Sequence, residues 1–124
     1  MRALIVDDSS FIREYMRQML FGMGVAFEEA GNGREALAAL KRDQGFDLMF
    51  LDMNMPVMNG MECVKELRES NLSPNTKVMM VTTEADSQFI CQALDLGADE
   101  FLMKPFTAES VKEKMSMLGL TTAI

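Results

Sequence analysis

Short apolar runs alternate with amphipathic segments along the chain. Ala3-Leu4-Ile5-Val6 has the unbroken apolar character of a strand buried on both faces. From Phe11 the apolar positions fall at Phe11, Ile12, Tyr15, Met16, Met19, Leu20 and Met23. That spacing predicts a helix, with Ser9 or Ser10 as its N-cap and Gly22 or Gly24 near its end. Val25 to Ala30 reads as a weaker strand, because Glu28 and Glu29 interrupt it. Asn32-Gly33-Arg34-Glu35 resembles a capping box that opens a helix through Ala36, Leu37 and Leu40.

The second half repeats the alternation. Asp47 to Asp52 is the strongest strand signal, and helical spacing returns at Cys63, Val64 and Leu67. Val78 to Val81 is a further buried strand. Asp86 caps a predicted helix whose inward face is Phe89, Ile90, Ala93 and Leu94, with Gly97 as its stop. Phe101-Leu102-Met103 is a last short strand, followed by a helix from Thr107 to Leu118 carrying Val111, Met115 and Leu118. Five strands alternating with five helices predict an α/β fold with a parallel sheet covered on both faces. At 124 residues, with no repeat or linker, the expectation is one domain over residues 1–124.

Composition narrows the function. Lys and Arg total 12 against 19 Asp and Glu, and the net charge of −7 disfavours nucleic acid or anionic membrane as a partner. There are no histidines, which excludes Ser-His and Cys-His nucleophiles, His-ligated metals and a phosphohistidine carrier. Cys63 and Cys91 are too few and too far apart for a metal cluster and read as free thiols. The 14 methionines lie mostly on apolar faces and read as core filler rather than a copper or partner site. With neither a secretory apolar stretch nor a membrane-length one, a cytoplasmic location is expected.

In an open parallel sheet, ligands bind outside the carboxyl ends of the strands, where strand order reverses. The predicted first strand ends in Asp7-Asp8, the third in Asp52, the fourth in Thr82-Thr83 and the fifth in Lys104-Pro105. Singly, each has an ordinary reading: Asp8 as a helix cap, Asp52 as a turn residue, Thr82 as a β-former, Lys104 as a surface lysine. Together they place three carboxylates, a hydroxyl and an ammonium on one rim. Carboxylates so placed repel one another, and a hard divalent cation such as Mg²⁺ relieves that crowding.

From Ala3 to about Leu118 the chain resembles a receiver domain of two-component response regulators, most nearly the single-domain chemotaxis type. The resemblance is carried by Ile5-Val6-Asp7-Asp8-Ser9, by Leu51-Asp52-Met53-Asn54-Met55-Pro56 with Asn59-Gly60, and by Val81-Thr82-Thr83-Glu84-Ala85. Gly97-Ala98 and Phe101-Leu102-Met103-Lys104-Pro105-Phe106 complete it. It implies a doubly wound, flavodoxin-like sheet of strand order 2-1-3-4-5 and a cis peptide before Pro105. It also implies that Asp52 accepts a phosphoryl group from a sensor histidine kinase or phosphotransfer protein. Asp7, Asp8, Asp52 and the backbone carbonyl of Asn54 would then hold Mg²⁺, while Lys104 and Thr82 meet phosphoryl oxygens. The protein would be a signalling module rather than an enzyme, catalysing only its own phosphorylation and dephosphorylation.

Asn54 and Glu84 match the positions that tune phosphoryl lifetime in chemotaxis-type receivers. At the aromatic switch position those receivers commonly carry tyrosine, and this chain has Phe101, which equally suits a plain core phenylalanine. Output is expected through a protein partner on the fourth helix, fifth strand and fifth helix, including those of Gln88, Gln92, Asp95, Glu100 and Lys112 that are exposed. The resemblance allows a monomer or a phosphorylation-dependent dimer.

Alternative readings are a receiver excised from a longer DNA-binding regulator and a flavodoxin-like electron carrier. The flavodoxin reading meets two acids where a flavin phosphate would sit. A dehalogenase-type phosphatase lacks its second acid at Asn54, and an EF-hand lacks the glycine at loop position six.

Overall fold

The computed structural model describes residues 1–83 and 87–121, without the side chain of Ser87. Five strands alternate with five helices: β1 (Arg2–Val6), α1 (Ser10–Gly22), β2 (Ala26–Ala30), α2 (Gly33–Arg42), β3 (Leu48–Asp52), α3 (Gly60–Glu69), β4 (Lys77–Thr82), α4 (Ser87–Asp95), β5 (Glu100–Met103) and α5 (Ala108–Met117). The strands are all parallel, in the order β2-β1-β3-β4-β5. The alternation, the parallel sheet and the order implied by the resemblance are all present.

Successive strand residues point to opposite faces, and the core divides accordingly. Leu4, Val6, Met49, Leu51, Val78 and Met80 face α2, α3 and Ala93 of α4. Ala3, Ile5, Leu48, Phe50, Met79, Val81 and Leu102 face Met16 and Leu20 of α1 and Val111 and Met115 of α5. This two-sided cover explains why the central strands read as unbroken apolar runs. Nine of the 14 methionines are buried in these layers, in keeping with their reading as core filler.

Glu28 and Glu29 mark β2 as a sheet edge. Glu28 pairs with Arg2 and Arg42, and Glu29 with Arg13 and Arg17. Charged side chains on an edge strand also discourage pairing with other chains.

Ser9 is the N-cap of α1 and accepts from the backbone N–H of Ile12. Asn32 caps α2, but the reciprocal box expected there does not form. The Glu35 carboxylate accepts from the N–H of Gly31 rather than from that of Asn32. Complete boxes form instead at Asn59–Glu62 and Thr107–Ser110.

The expected inward face of α4 needs a larger correction. Ala93 is buried, whereas Phe89 and Leu94 are 37% and 40% exposed. Phe11, on the apolar stripe of α1, is likewise exposed. Asp86, the expected cap of α4, lies outside the described residues. Among the described residues, no helix is long and apolar enough to cross a membrane.

Candidate functional site

Parallel register assembles the rim. Val6 pairs with Leu51, Asp52 with Val81 and Thr82 with Met103. The residues at or just past these pairs are Asp7, Asp52, Thr82 and Lys104, so all four reach one end of the central strands. The strand order reverses at β1 and β3, where an open sheet leaves its crevice.

Asp7, Asp52 and Thr82 are buried, at 2%, 5% and 2% exposure, and Asp8 is exposed. The Lys104 ammonium donates to the carboxylates of Asp7 and Asp52, each at 3.2 Å. Asp7 also accepts from the N–H of Ser9 at 2.9 Å, and Asp52 from the N–H of Asn54. Gly60 lets α3 approach this rim. A side chain there would place its Cβ 2.4 Å from the Asp52 carbonyl oxygen. The Lys104–Pro105 peptide is cis, as the resemblance implies.

One carboxylate oxygen each from Asp7, Asp8 and Asp52 lies within 4.8 Å of the others. Three acids against one ammonium leave an excess of negative charge, two of the acids buried and Asp8 open to water. Burial, and next the Asp7 charge, push the Asp52 carboxyl above its ordinary pKa despite Lys104 and the Asn54 N–H. Burial disfavours the charged form of Lys104, but Asp52 and Asp7 together outweigh it and raise its pKa. An all-oxygen donor set carrying surplus negative charge fits a hard divalent cation.

Phe101 is half-buried against the α2–α4 layer. The Lys114 ammonium lies 4.5 Å from its ring centroid and 3.4 Å from Glu100. Gln88, Gln92, Asp95 and Lys112 are exposed, while Glu100 is half-buried. Glu84 lies outside the described residues. Beside Lys104, an apolar hollow of about 270 Å³ is lined by Phe11, Ile12, Tyr15, Pro105 and Phe106.

Arg13 is missing from the residues expected at this rim. Its guanidinium donates to the backbone carbonyl of Asp7 at 2.6 Å and to Glu29 at 3.1 Å. A signal was present in the helical spacing: Arg13 shares the inward stripe of Met16 and Leu20, where a charge breaks the pattern.

Known proteins resemble this chain over nearly its whole length. Residues 3–116 match the response regulator receiver domain. The chain is 34% identical over 119 residues to chemotaxis protein CheY1 of Helicobacter pylori, covering 95% of this chain and 96% of that protein. It superposes on Vibrio cholerae CheY4 with a TM-score of 0.86 at 36% identity, covering 94% of this chain and 96% of the other. A second solved relative is the CheX–CheY–BeF3–Mg²⁺ complex of Borrelia burgdorferi, with a TM-score of 0.87 and 30% identity over 94% of this chain and 88% of that one. A match of this length shows that the chain belongs to the response regulator receiver domain family, the phosphoacceptor signalling modules of two-component systems.

Proposed function

We propose that Asp52 is the phosphoacceptor of a chemotaxis-type signalling module, and that Asp7, Asp8, Asp52 and the Asn54 carbonyl hold Mg²⁺. One observation carries this reading: a buried carboxylate at the end of β3 meets Lys104 at 3.2 Å and shares a 4.8 Å cluster with two further acids. In the transfer, an Asp52 carboxylate oxygen attacks phosphorus. The bond from phosphorus to the donor's imidazole nitrogen breaks, and its electron pair stays on that nitrogen. Lys104 meets charge on a phosphoryl oxygen, and the Thr82 hydroxyl donates to another. Bound Mg²⁺ supplies further neutralisation of the transferring group.

The donor is a phosphohistidine on a sensor histidine kinase or phosphotransfer protein, since residues 1–124 themselves contain no histidine. Asn54 and Glu84 tune the lifetime of the aspartyl phosphate. The domain works in the cytoplasm, catalyses no reaction beyond its own phosphorylation and dephosphorylation, and signals by binding a protein through α4, β5 and α5. It acts as one unit over residues 1–124.

The test is incubation with acetyl phosphate, with and without Mg²⁺, followed by intact-mass measurement. One phosphoryl group should appear only with Mg²⁺ and be absent in Asp52→Asn. Stable labelling of that variant would refute the assignment.

A further inference from the structure

Asp8 differs from the other two acids of the cluster. Asp7 is held by Ser9 and Lys104, and Asp52 by Lys104 and Asn54. Asp8 is exposed, so its direction rests on its own backbone. That backbone is anchored through the preceding peptide. The N–H of Asp7 donates to the Ala30 carbonyl at 3.2 Å, and the Asp7 carbonyl accepts from Arg13 Nη1 at 2.6 Å. A peptide unit is planar, so fixing the Asp7 carbonyl also fixes the nitrogen and the Cα of Asp8.

The guanidinium is itself held. Arg13 Nε donates to Glu29 Oε1 at 3.1 Å, and the other Glu29 oxygen accepts from Arg17 at 2.9 Å. The Arg13 and Glu29 side chains are only 23% and 27% exposed, so the pair is partly withdrawn from water. Asp8, Arg13, Glu29, Gly31 and Glu35 line one polar hollow of about 550 Å³, so the clamp and the exposed acid border the same open space.

We propose that Arg13, clamped by Glu29, is a positioning residue for the metal: it holds the Asp7–Asp8 peptide so that the Asp8 carboxylate completes the acid cluster. The inference rests on the Mg²⁺ reading of the site. It gives Glu29, which weakens β2 as a strand, a function at the rim. It also opposes simple electrostatics. A cation beside a cation site weakens binding, so removing it should tighten the site if charge alone mattered. Glu29 offsets that charge and leaves the geometric effect.

The experiment is calorimetric titration of Mg²⁺ alone into the metal-free wild type, Arg13→Met, Arg13→Lys and Glu29→Gln, with melting curves in chelator as a fold control. Loss of a group that orients a metal ligand typically costs about tenfold or more in affinity. Arg13→Met should therefore bind Mg²⁺ about tenfold more weakly. Glu29→Gln should move the same way by releasing the guanidinium. Arg13→Lys keeps the charge but loses the planar fork, and should not restore affinity. Equal or tighter binding by Arg13→Met overturns the proposal, as does full rescue by Lys. A lower metal-free melting temperature with an unchanged dissociation constant marks a merely structural role and overturns it too. If Arg13→Met does not fold, Arg13→Lys decides, because it keeps the charge and removes the fork: an affinity equal to wild type overturns the proposal. Failure of the wild type to bind Mg²⁺ overturns the metal reading itself, which distinguishes that failure from the loss of Arg13's role alone.

Discussion

Asp52→Asn should stabilise the metal-free protein at neutral pH, although it removes an ion-pair partner. At an effective dielectric of about 20, unit charges 4.8 Å apart repel by roughly 3.5 kcal/mol, which sets the scale for Asp52 against Asp7. On the same basis Lys104, at 3.2 Å, attracts Asp52 by roughly 5 kcal/mol. The attraction is only partly lost in the variant. Lys104 keeps Asp7 at 3.2 Å, and the new amide oxygen still accepts from it. Burial then decides the sign. It is the first cause raising the Asp52 pKa, and it disappears with the charge.

The net gain is the remainder of opposing effects of several kcal/mol, about 1–2 kcal/mol. For a chain of this size that is about 3–8 °C in melting temperature. The pH dependence follows from the direction of the shift. With a folded pKa above the unfolded value of about 3.9, the folded state binds more protons between the two, so wild-type stability falls as pH rises through that interval. The advantage of the variant should therefore be small below about pH 4, grow through the folded pKa and then level off. Mg²⁺ should narrow or reverse the ranking, adding about 2.7 kcal/mol to wild type at one hundred times its dissociation constant and less to the variant. Melting curves in chelator and in Mg²⁺ at several pH values are the assay. A variant that melts at or below wild type in chelator at pH 7 would refute the reasoning.

Val57 has φ 68° and is 77% exposed, a backbone conformation that costs a β-branched residue about 1–2 kcal/mol, so Val57→Asn should raise stability by about 1 kcal/mol in a urea titration. Gly60→Ala would press a Cβ to 2.4 Å from the Asp52 carbonyl oxygen; it should cost about 2–3 kcal/mol in the same assay and lower labelling by acetyl phosphate. Lys104→Met should cost about 2 kcal/mol in chelator at pH 7, less than a fully buried pair because the lysine side chain is 19% exposed. The sign follows from its raised pKa, since the stabilisation is fully present below about pH 10.4 and is lost only as pH rises through the folded value.

The fold was largely legible because strand ends and helix spacing punctuate this chain clearly, and the acids of the rim were legible because each ends a strand. The faces were not. When Ala3-Leu4-Ile5-Val6 is apolar throughout, no period tells which pair meets α1 and which meets α2, so the strand order had to come from family resemblance. The expected burial of Phe89 and Leu94 failed for a related reason: periodicity marks an apolar stripe but not how far the neighbouring layer covers it. Arg13 breaks the inward stripe of α1, but that signal does not say what it meets: its partners are a backbone carbonyl and a glutamate on an edge strand, which spacing does not bring together.

The half-buried position of Phe101 limits what phosphorylation alone can achieve. Lys114 lies 4.5 Å from the centroid of that ring and also pairs with Glu100, so full burial of the ring would cost a cation–π contact of roughly 0.5–1 kcal/mol. Against this, a hydrogen bond from the Thr82 hydroxyl to a charged phosphoryl oxygen contributes about 1.5–3 kcal/mol. Turning a 1:99 population into 99:1 takes about 5.5 kcal/mol, and phosphorylation shifts the balance only by its differential interaction with the two states. On the proposed mechanism, the hydroxyl therefore biases α4 and β5, and partner binding completes the shift. Amide NMR with beryllofluoride tests this directly. Without partner, resonances from Gln88 to Phe101 should move part of the way, and partner should move them further along the same line. Thr82→Ala should abolish the first step while phosphorylation of Asp52 remains detectable. Perturbation confined to the loops around Asp7, Asp52 and Lys104 would show that this face does not read the site, and a complete shift without partner would show that phosphorylation suffices.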